Sequence, residues 1–327
     1  MKILFSSYAY APGIGGIETV SALLAREFVA AGNDIVLVTE SGGESAAKEV
    51  FPVIRRPSVA QLRQCLRWCD VVFQNNISLR HLIPALLARK PVLLVHQTWT
   101  RNTRGEIGWN DRIKRLLLHR ASNVAISTAI ARDVDAPCQV IGNPYEDRVF
   151  RLLPEIARDR DIIFVGRLVS DKGVDLLLSA GRVLRPAPTV TIVGSGPEEE
   201  KLRDLARGMD VVFAGAKREH ELAQLLNRHH IIAVPSRWAE PFGVVALEGI
   251  ACGCVAVASN GGGLPEAIGN CGLTFSNGNE HELRKCLQRL MTDASLRECL
   301  RANAPAHLEH FRGGNIAQRY LERLATL

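Results

Sequence analysis

The sequence of 327 residues lacks several features that mark common functional classes. No apolar run approaches the ~18 to 20 residues that a membrane-spanning helix needs. The N-terminal MKILFSSYAY has only a short apolar run, which is typical of a first strand and not of a signal peptide. None of the eight cysteines forms a CxxC pair, so reduced and mostly buried thiols are favoured over a zinc site. These absences predict a cytoplasmic protein.

Three ligand-binding signatures are also missing. A dinucleotide-binding GxGxxG is not formed, because Glu18 stands where the third glycine would be, and this argues against an NAD-dependent dehydrogenase. No GK[ST] follows a glycine turn, which excludes a P-loop. Aromatic residues make up only 6% of the chain and interleave with no basic run, so no nucleic-acid partner is predicted.

Charge is present but unevenly distributed. The formal net charge is +6, and residues 1–150 carry 18 Lys and Arg against 13 Asp and Glu, whereas residues 151–327 carry 22 against 21. The excess on the first half indicates an anionic partner there, either a phosphate-bearing substrate or an anionic membrane surface.

Short apolar strands alternate with amphipathic segments in both halves, a pattern typical of parallel sheets covered by helices. The sequence therefore predicts an α/β fold of two doubly wound, Rossmann-like domains facing each other across a cleft. We place the domains at residues 1–152 and 153–327, because LLPEIARDRD (152–161) is polar and contains proline. The last helix is a candidate to pack back on the first domain. The predicted strands are 2–7, 34–39, 70–75, 91–97, 123–127, 160–166, 189–194, 211–215, 230–236, 255–259 and 272–276.

The stretch EPFGVVALEG (240–249) places two carboxylates, Glu240 and Glu248, in an apolar setting. Pro241 suits the first position of a helix, so the amides of residues 242–244 would be free for an anion. Glu248 would then lie inside a buried helix, where an unpaired charge is costly. A polar ligand group such as a sugar or ribose hydroxyl is one partner for it, and a structural salt bridge is the alternative.

Five further segments end or follow predicted strands, at the sheet edge where open α/β folds bind ligands. In VGRLVSDKG, two cations near a helix start could clamp a diphosphate, or could pair with Asp171 and Asp175 in a solvated loop. Glycine turns at GIGG, GSG and GGG permit close backbone approach to a phosphate or are plain turns. A histidine ends the strand LLVH, where a structural role is equally open. The residues are Arg167, Lys172, Gly15, Gly16, Gly194, Ser195, Gly263 and His96.

Together these segments resemble the retaining glycosyltransferases of family 4, which have the GT-B fold. EPFGVVALE is similar to that family's E-x7-E element, GRLVSDKG to its diphosphate clamp, GIGGIE to its N-terminal glycine loop and GGLPEAI to its late glycine turn. The resemblance covers essentially the whole chain. It implies an N-terminal acceptor-side domain and a C-terminal domain that binds the nucleotide-sugar donor.

Carried to this sequence, the resemblance implies roles for individual residues. Glu240 would bind hydroxyls of the donor sugar, Glu248 the ribose, and His96 would lie near the transferred sugar. The catalytic candidates are His96, Glu240, Arg167 and Lys172. The donor-binding candidates are Gly15, Gly16, Gly194, Ser195, Phe242, Gly243, Val244, Glu248 and Gly263. No metal and no cofactor are expected.

The implied reaction moves a sugar from a UDP- or GDP-linked donor to an acceptor hydroxyl, in polysaccharide, lipopolysaccharide or glycolipid assembly at the cell envelope. Basic amphipathic stretches at 61–69 and 110–121 could rest on an anionic membrane, which would make the acceptor lipid-linked and the protein peripheral on the inner face. Alternatively, their apolar faces pack on the sheet. A sugar-nucleotide epimerase and a catalytically silent binding subunit are the competing functions.

Overall fold

The structure, a computed structural model, describes residues 1–13, 15–43, 49–100 and 115–327. The chain forms two compact units. The first comprises Met1–Pro144 together with Phe311–Leu327, and the second comprises Tyr145–His310. Of the stretch 110–121, residues 110–114 lie outside the described part. No helix within the described part is long and apolar enough to cross a membrane.

In the first unit, the described residues form a seven-stranded parallel sheet in the order β3-β2-β1-β4-β5-β6-β7. Helices α1 to α4 and the last helix, α13, belong to the same unit. The strands are β1 (Lys2–Ser7), β2 (Asp34–Thr39), β3 (Val53–Arg55), β4 (Val71–Asn75), β5 (Val92–His96), β6 (Ser122–Ala125) and β7 (Cys138–Val140). The helices are α1 (Gly16–Ala30), α2 (Val59–Trp68), α3 (Leu79–Leu87), α4 (Thr128–Asp133) and α13 (Gly313–Ala325).

The second unit contains a six-stranded parallel sheet in the order β10-β9-β8-β11-β12-β13. Its strands are β8 (Arg160–Val165), β9 (Val190–Val193), β10 (Val211–Gly215), β11 (His229–Val234), β12 (Val255–Ser259) and β13 (Gly272–Phe275). Its helices are α5 (Val174–Arg182), α6 (Glu199–Leu205), α7 (Glu219–Asn227), α8 (Val244–Ala251), α9 (Leu264–Ile268), α10 (Glu280–Thr292), α11 (Ala294–Ala302) and α12 (Ala304–Glu309). The prediction of two doubly wound α/β domains is confirmed.

An aromatic cluster joins the last helix to the first sheet. Phe5 of β1 and Phe73 of β4 are fully buried, and their ring centroids lie 4.7 Å apart. The Tyr320 ring of α13 meets Phe73 edge-on at 5.2 Å, within the range of favourable aromatic pairs. Arg319 of the same helix donates to the carbonyl oxygen of Val140 at 3.0 Å. These contacts explain why a C-terminal helix belongs to the N-terminal unit.

The division between the units falls at Pro144 and Tyr145, before the predicted boundary at residue 152. Hydrogen bonds attach the intervening segment to the second unit. The Asn227 side chain accepts from the Leu153 amide at 2.9 Å and donates to the Arg151 carbonyl at 3.0 Å. The polar composition of this segment reflects a chain that runs over the surface of the second unit, and it does not mark the boundary.

Each sheet contains one point at which the strand order reverses direction, and open α/β sheets bind ligands at such points. In the first unit the reversal lies between β1 and β4, and in the second between β8 and β11. Most candidate site residues lie in the connections that leave β1, β8 and β11 at their carboxyl ends, and the others lie at the ends of the neighbouring strands β5, β9 and β12.

Candidate active site

The centre of the candidate site in the second unit is an ion pair that bridges the loops after β8 and β11. The Lys172 ammonium donates to Oε1 of Glu240 at 2.5 Å. The Ser236 hydroxyl donates to the same oxygen at 2.6 Å. The Glu240 side chain is 11% exposed and that of Lys172 is 23% exposed, so the pair is largely shielded from water. Two of the four catalytic candidates are thus brought into contact.

A second ion pair fixes the relation of these two loops. The guanidinium of Arg237 donates two hydrogen bonds to the Asp175 carboxylate, at 2.5 and 2.8 Å. Burial opposes ionisation of Asp175, but the bonds from Arg237 prevail and hold its pKa below the usual value. The Asp175 carboxylate is thus paired with Arg237, and Lys172 pairs with Glu240. The Lys172–Asp175 pair that the sequence left open is not formed.

Arg167 and the turn after β9 lie side by side. The side chain of Arg167 is exposed, and no described residue pairs with it. The amide of the next residue, Leu168, donates to the Ser195 carbonyl at 2.9 Å. A Cβ atom on Gly194 would lie 1.8 Å from the Gly166 carbonyl oxygen, and Gly194 has a φ of 140°. Only glycine fits there, so the backbones of the two candidate loops are in direct contact.

The start of helix α8 corrects one prediction. The helix begins at Val244 and not at Pro241, and Gly243 is its N-cap. Gly243 has a φ of 126°, and a Cβ at that position would lie 2.5 Å from Cδ2 of Leu264. This positive φ breaks helical geometry, so Pro241 stays outside the helix. The amides of the first helical turn therefore start at Val244, and the amides of Phe242 and Gly243, which were also expected to be free for an anion, lie before the helix.

The backbone next to the ion pair is held by the glycine turn after β12. Glu240 forms an isolated parallel bridge with Gly262, and its carbonyl accepts from the Gly263 amide at 2.8 Å. The late glycine turn therefore supports the Glu240 backbone directly. This gives Gly263 a structural contact within the site, whatever it binds in addition.

Glu248 is half-buried in the second turn of helix α8. No residue of the described part donates a hydrogen bond to its carboxyl group or forms an ion pair with it, so the salt bridge weighed as an alternative is not formed there. Burial raises the pKa of this carboxyl from 4.5 to about 8. The group is therefore largely protonated at neutral pH, which makes it both a donor and an acceptor for a polar ligand.

His96 lies in the first unit, at the end of β5, and is 1% exposed. Its Nε2 bonds Oδ1 of Asn123 at 3.0 Å. The Asn123 amide nitrogen already donates to the carbonyl of Leu118 at 2.9 Å, so Oδ1 accepts and the histidine Nε2 donates. Burial lowers the pKa of His96, which favours the neutral ring with an acceptor lone pair on Nδ1.

The N-terminal glycine turn is also in the first unit. Gly15 is the N-cap of α1 and Gly16 its first residue. Oε2 of Glu18 lies 2.5 Å from the position of a Cβ atom on Gly15. The Glu18 carboxylate therefore lies against the backbone of Gly15, which was expected to approach a phosphate. A phosphate bound at Gly15 would have to displace this carboxylate.

A buried chain of amides was not predicted as part of the site. Gln97 and Asn143 exchange two side-chain hydrogen bonds, at 3.0 and 2.8 Å. Gln97 also donates to Asn75 at 2.8 Å, and Asn75 donates to the Ser21 hydroxyl at 2.7 Å. These hydrogen bonds link the ends of β4 and β5 to helix α1 and to Asn143, all within the first unit. The sequence signal that could have revealed this network is the polar residues at the ends of apolar strands, such as Asn75 and Gln97.

The two sheets and their loops define the GT-B class of fold. The crystal structure of Anabaena HepE in complex with UDP superposes with a TM-score of 0.85 over 100% of both chains, at 22% identity. Sucrose-phosphate synthase from Thermosynechococcus elongatus gives a TM-score of 0.80 at 20% identity, again over 100% of both chains. At these identities the similarity establishes the fold.

The sequence of the second unit is similar to known glycosyltransferases. Residues 147–307 match the profile of the family described as glycosyl transferases group 1. A D-inositol 3-phosphate glycosyltransferase of Rhodococcus opacus is 32% identical over 188 residues, 52% of this chain and 42% of that protein. The sulfoquinovosyl transferase of Arabidopsis thaliana is 32% identical over 155 residues, 46% of this chain and 30% of its own. The matches thus span less than half the length of these curated relatives.

Proposed function

We propose that the protein is a retaining glycosyltransferase that moves a sugar from a UDP- or GDP-sugar to an acceptor hydroxyl. The observation that carries the proposal is the shielded Lys172–Glu240 pair at the strand-order reversal of the second unit. Arg167 precedes Lys172 in the same connection, and its exposed side chain pairs with no described residue. A cation and a carboxylate at one point suit a ligand with a diphosphate on one side and sugar hydroxyls on the other. The family match of the same unit supports this assignment.

The roles follow from charge. Negative charge develops on the diphosphate as the anomeric C–O bond breaks, and Lys172 and Arg167 would stabilise it. Glu240 would accept hydrogen bonds from sugar hydroxyls, and Glu248 would bond the ribose. The first amides of α8, from Val244 onward, would point at the phosphates. Two side-chain cations supply the neutralising charge, so we propose transfer without a bound metal.

Retention of configuration is part of the proposal. The acceptor oxygen would attack the anomeric carbon from the face that the diphosphate leaves, and its proton would pass to the departing phosphate oxygen. Neither Glu240, which is engaged by Lys172 and Ser236, nor the largely protonated Glu248 is placed as an ionised free nucleophile. This supports front-face attack over a covalent sugar–enzyme intermediate.

We also propose a lipid-linked or polysaccharide acceptor and weak binding to an anionic membrane. Leu62 and Leu66 of α2 are buried, so the apolar face of this helix packs inward, and its contribution is the exposed charge of Arg63 and Arg67. Such binding is electrostatic and salt-sensitive. Pelleting with anionic vesicles at low salt, and release at high salt, is the expected result. Failure to pellet at low salt would remove the membrane from the proposal.

A thermal-shift panel of UDP, GDP, ADP and their sugar conjugates, in the presence of a chelator, tests the function. A ligand at 100 times its dissociation constant adds about 2.7 kcal/mol to the free energy of unfolding. We expect one nucleotide series to raise the melting temperature, and UDP is the first to try because HepE was crystallised with it. If no nucleotide shifts the protein, the silent-subunit alternative replaces the proposal.

A further inference from the structure

Ser236 is a buried serine next to the Lys172–Glu240 pair, and it was not among the predicted site residues. It lies two residues after the end of β11 and is 1% exposed. Its hydroxyl donates to Oε1 of Glu240 at 2.6 Å, a distance typical of a hydroxyl bonded to a carboxylate. Because Ser236 is enclosed by the protein, any part that it has in the reaction acts through Glu240.

The carboxylate of Glu240 is bonded on one oxygen only. Oε1 accepts from Nζ of Lys172 at 2.5 Å and from Oγ of Ser236 at 2.6 Å. No residue of the described part bonds Oε2, and this oxygen keeps contact with solvent. A carboxylate oxygen accepts roughly two hydrogen bonds, so the capacity of Oε1 is used and that of Oε2 is free. Oε2 is therefore the oxygen that is available to sugar hydroxyls.

Backbone contacts fix the place of Ser236. Gly173, in the loop after β8, has a φ of 68°, and a Cβ atom there would lie 2.0 Å from the carbonyl oxygen of Pro235. The two loops therefore touch directly before the serine. In addition, Nδ2 of Asn277, which follows β13, donates to the Ser236 carbonyl at 3.3 Å. These contacts hold the backbone of Ser236 independently of any ligand.

The two donors to Oε1 differ in how a bound diphosphate would affect them. Lys172 has three N–H donors on a flexible stem and its side chain is 23% exposed, so a diphosphate would attract its ammonium. Ser236 has a single O–H, which is buried and donated to Glu240. The terminal torsion of a glutamate is broad, so the carboxylate would turn if Lys172 alone held it. The serine keeps the carboxylate oriented while the lysine shares its donors with phosphate.

We propose that Ser236 is a positioning residue for sugar transfer. Its hydroxyl holds Oε1 of Glu240, which leaves Oε2 for hydroxyls of the donor sugar after Lys172 engages the diphosphate. The inference rests on the proposed glycosyl transfer and adds a residue to it. Loss of this hydroxyl should impair turnover of a UDP-sugar, whereas binding of UDP, which lacks the transferred sugar, should not change.

The test measures the affinity for UDP by calorimetric titration and kcat for hydrolysis of a radiolabelled UDP-sugar. The donor is whichever of UDP-glucose, UDP-galactose and UDP-N-acetylglucosamine wild type hydrolyses fastest. S236A removes the hydroxyl. S259A is the matched control, since Ser259 is equally buried at the end of β12 and its hydroxyl bonds no described group. Loss of one hydrogen bond to a charged group predicts a roughly 10-fold lower kcat in S236A, with UDP affinity unchanged and S259A like wild type.

A double-mutant cycle separates action through Glu240 from a general structural effect. S236A should lower kcat in the wild-type background and leave it unchanged in the E240A background. Equal kcat in wild type and S236A, or an equal loss in both backgrounds, would overturn the inference. If S236A does not fold, S236C replaces it, because a thiol of similar size is a weak donor, and wild-type kcat in S236C would reject the role of the hydroxyl.

UDP binding and donor hydrolysis by wild type are measured first. Their absence counts against the proposed function. UDP binding and hydrolysis that are both unaffected by S236A count against the role of Ser236 alone.

Discussion

Replacing Glu248 with glutamine tests whether the carboxyl group of Glu248 lowers the free energy of unfolding at neutral and higher pH. Glutamine keeps the shape of the side chain and removes its ability to ionise. In the folded protein, burial raises the carboxyl pKa to about 8 from its usual 4.5, and no described residue compensates the charge. An acid whose pKa is higher in the folded state binds protons more tightly there than in the unfolded state. Folding is therefore favoured at low pH.

The sign and the size follow from this difference. The contribution of Glu248 to stability is complete below pH 4.5 and is lost progressively as the pH rises towards 8. Each pH unit in this interval costs about 1.4 kcal/mol, which gives at most about 3 kcal/mol at pH 7. The side chain is half-buried, so residual contact with water reduces the cost below this limit. The E248Q variant avoids it altogether.

The assay compares denaturant unfolding of wild type and E248Q at pH 5 and pH 8, with E155Q as an exposed-glutamate control. We expect nearly equal stability at pH 5 and a more stable E248Q at pH 8, while E155Q follows wild type at both. Other groups titrate equally in all three proteins and cancel in the differences. E248Q should also bind UDP more weakly. A stability gap that does not change with pH, or an E248Q that is less stable at pH 8, would refute the reasoning.

Further perturbations follow from the contacts of the site. K172A and E240A should each lower the rate of sugar transfer at least ~100-fold in a radiolabel assay, the size of one lost transition-state contact, and near-normal activity in either would reject its role. G194A should lower the melting temperature strongly because its Cβ would overlap a carbonyl oxygen, whereas G16A, with open space around it, should not. Q97L should cost about 1–3 kcal/mol per buried amide left unpaired, by denaturant unfolding, and an unchanged midpoint would argue that the network is not structural.

The fold was readable from sequence because the central strands of both sheets are buried on both faces. Runs such as DIVLVT and VAVAS are continuous apolar segments, and the structure places strands at all the predicted positions. The short edge strands β3 and β7 were not predicted. Val53–Arg55 and Cys138–Val140 are three residues long and only partly buried or exposed, so they leave no apolar run to detect.

The contacts among the candidate site residues could not be predicted from the sequence. Sequence placed Lys172 with Arg167 in one clamp, whereas the structure pairs Lys172 with Glu240, 68 positions away. Asp175, the other carboxylate near Lys172 in sequence, is already bound by Arg237. These two residues are distant in sequence, so no local pattern reveals their pairing. The start of α8 was missed for a similar reason. Gly243 has a positive φ and leaves no room for a Cβ beside Leu264, a residue distant in sequence.

The account depends most on the claim that the second unit binds a nucleotide diphosphate through Lys172. Its most direct test is calorimetric titration of the full chain with UDP in a chelator, comparing wild type, K172A and the surface control K201A, whose lysine side chain is 69% exposed. Loss of one charge-assisted contact predicts binding about 10- to 100-fold weaker in K172A, with K201A unchanged. Equal affinity for UDP in wild type and K172A, or no binding by wild type, would contradict the account.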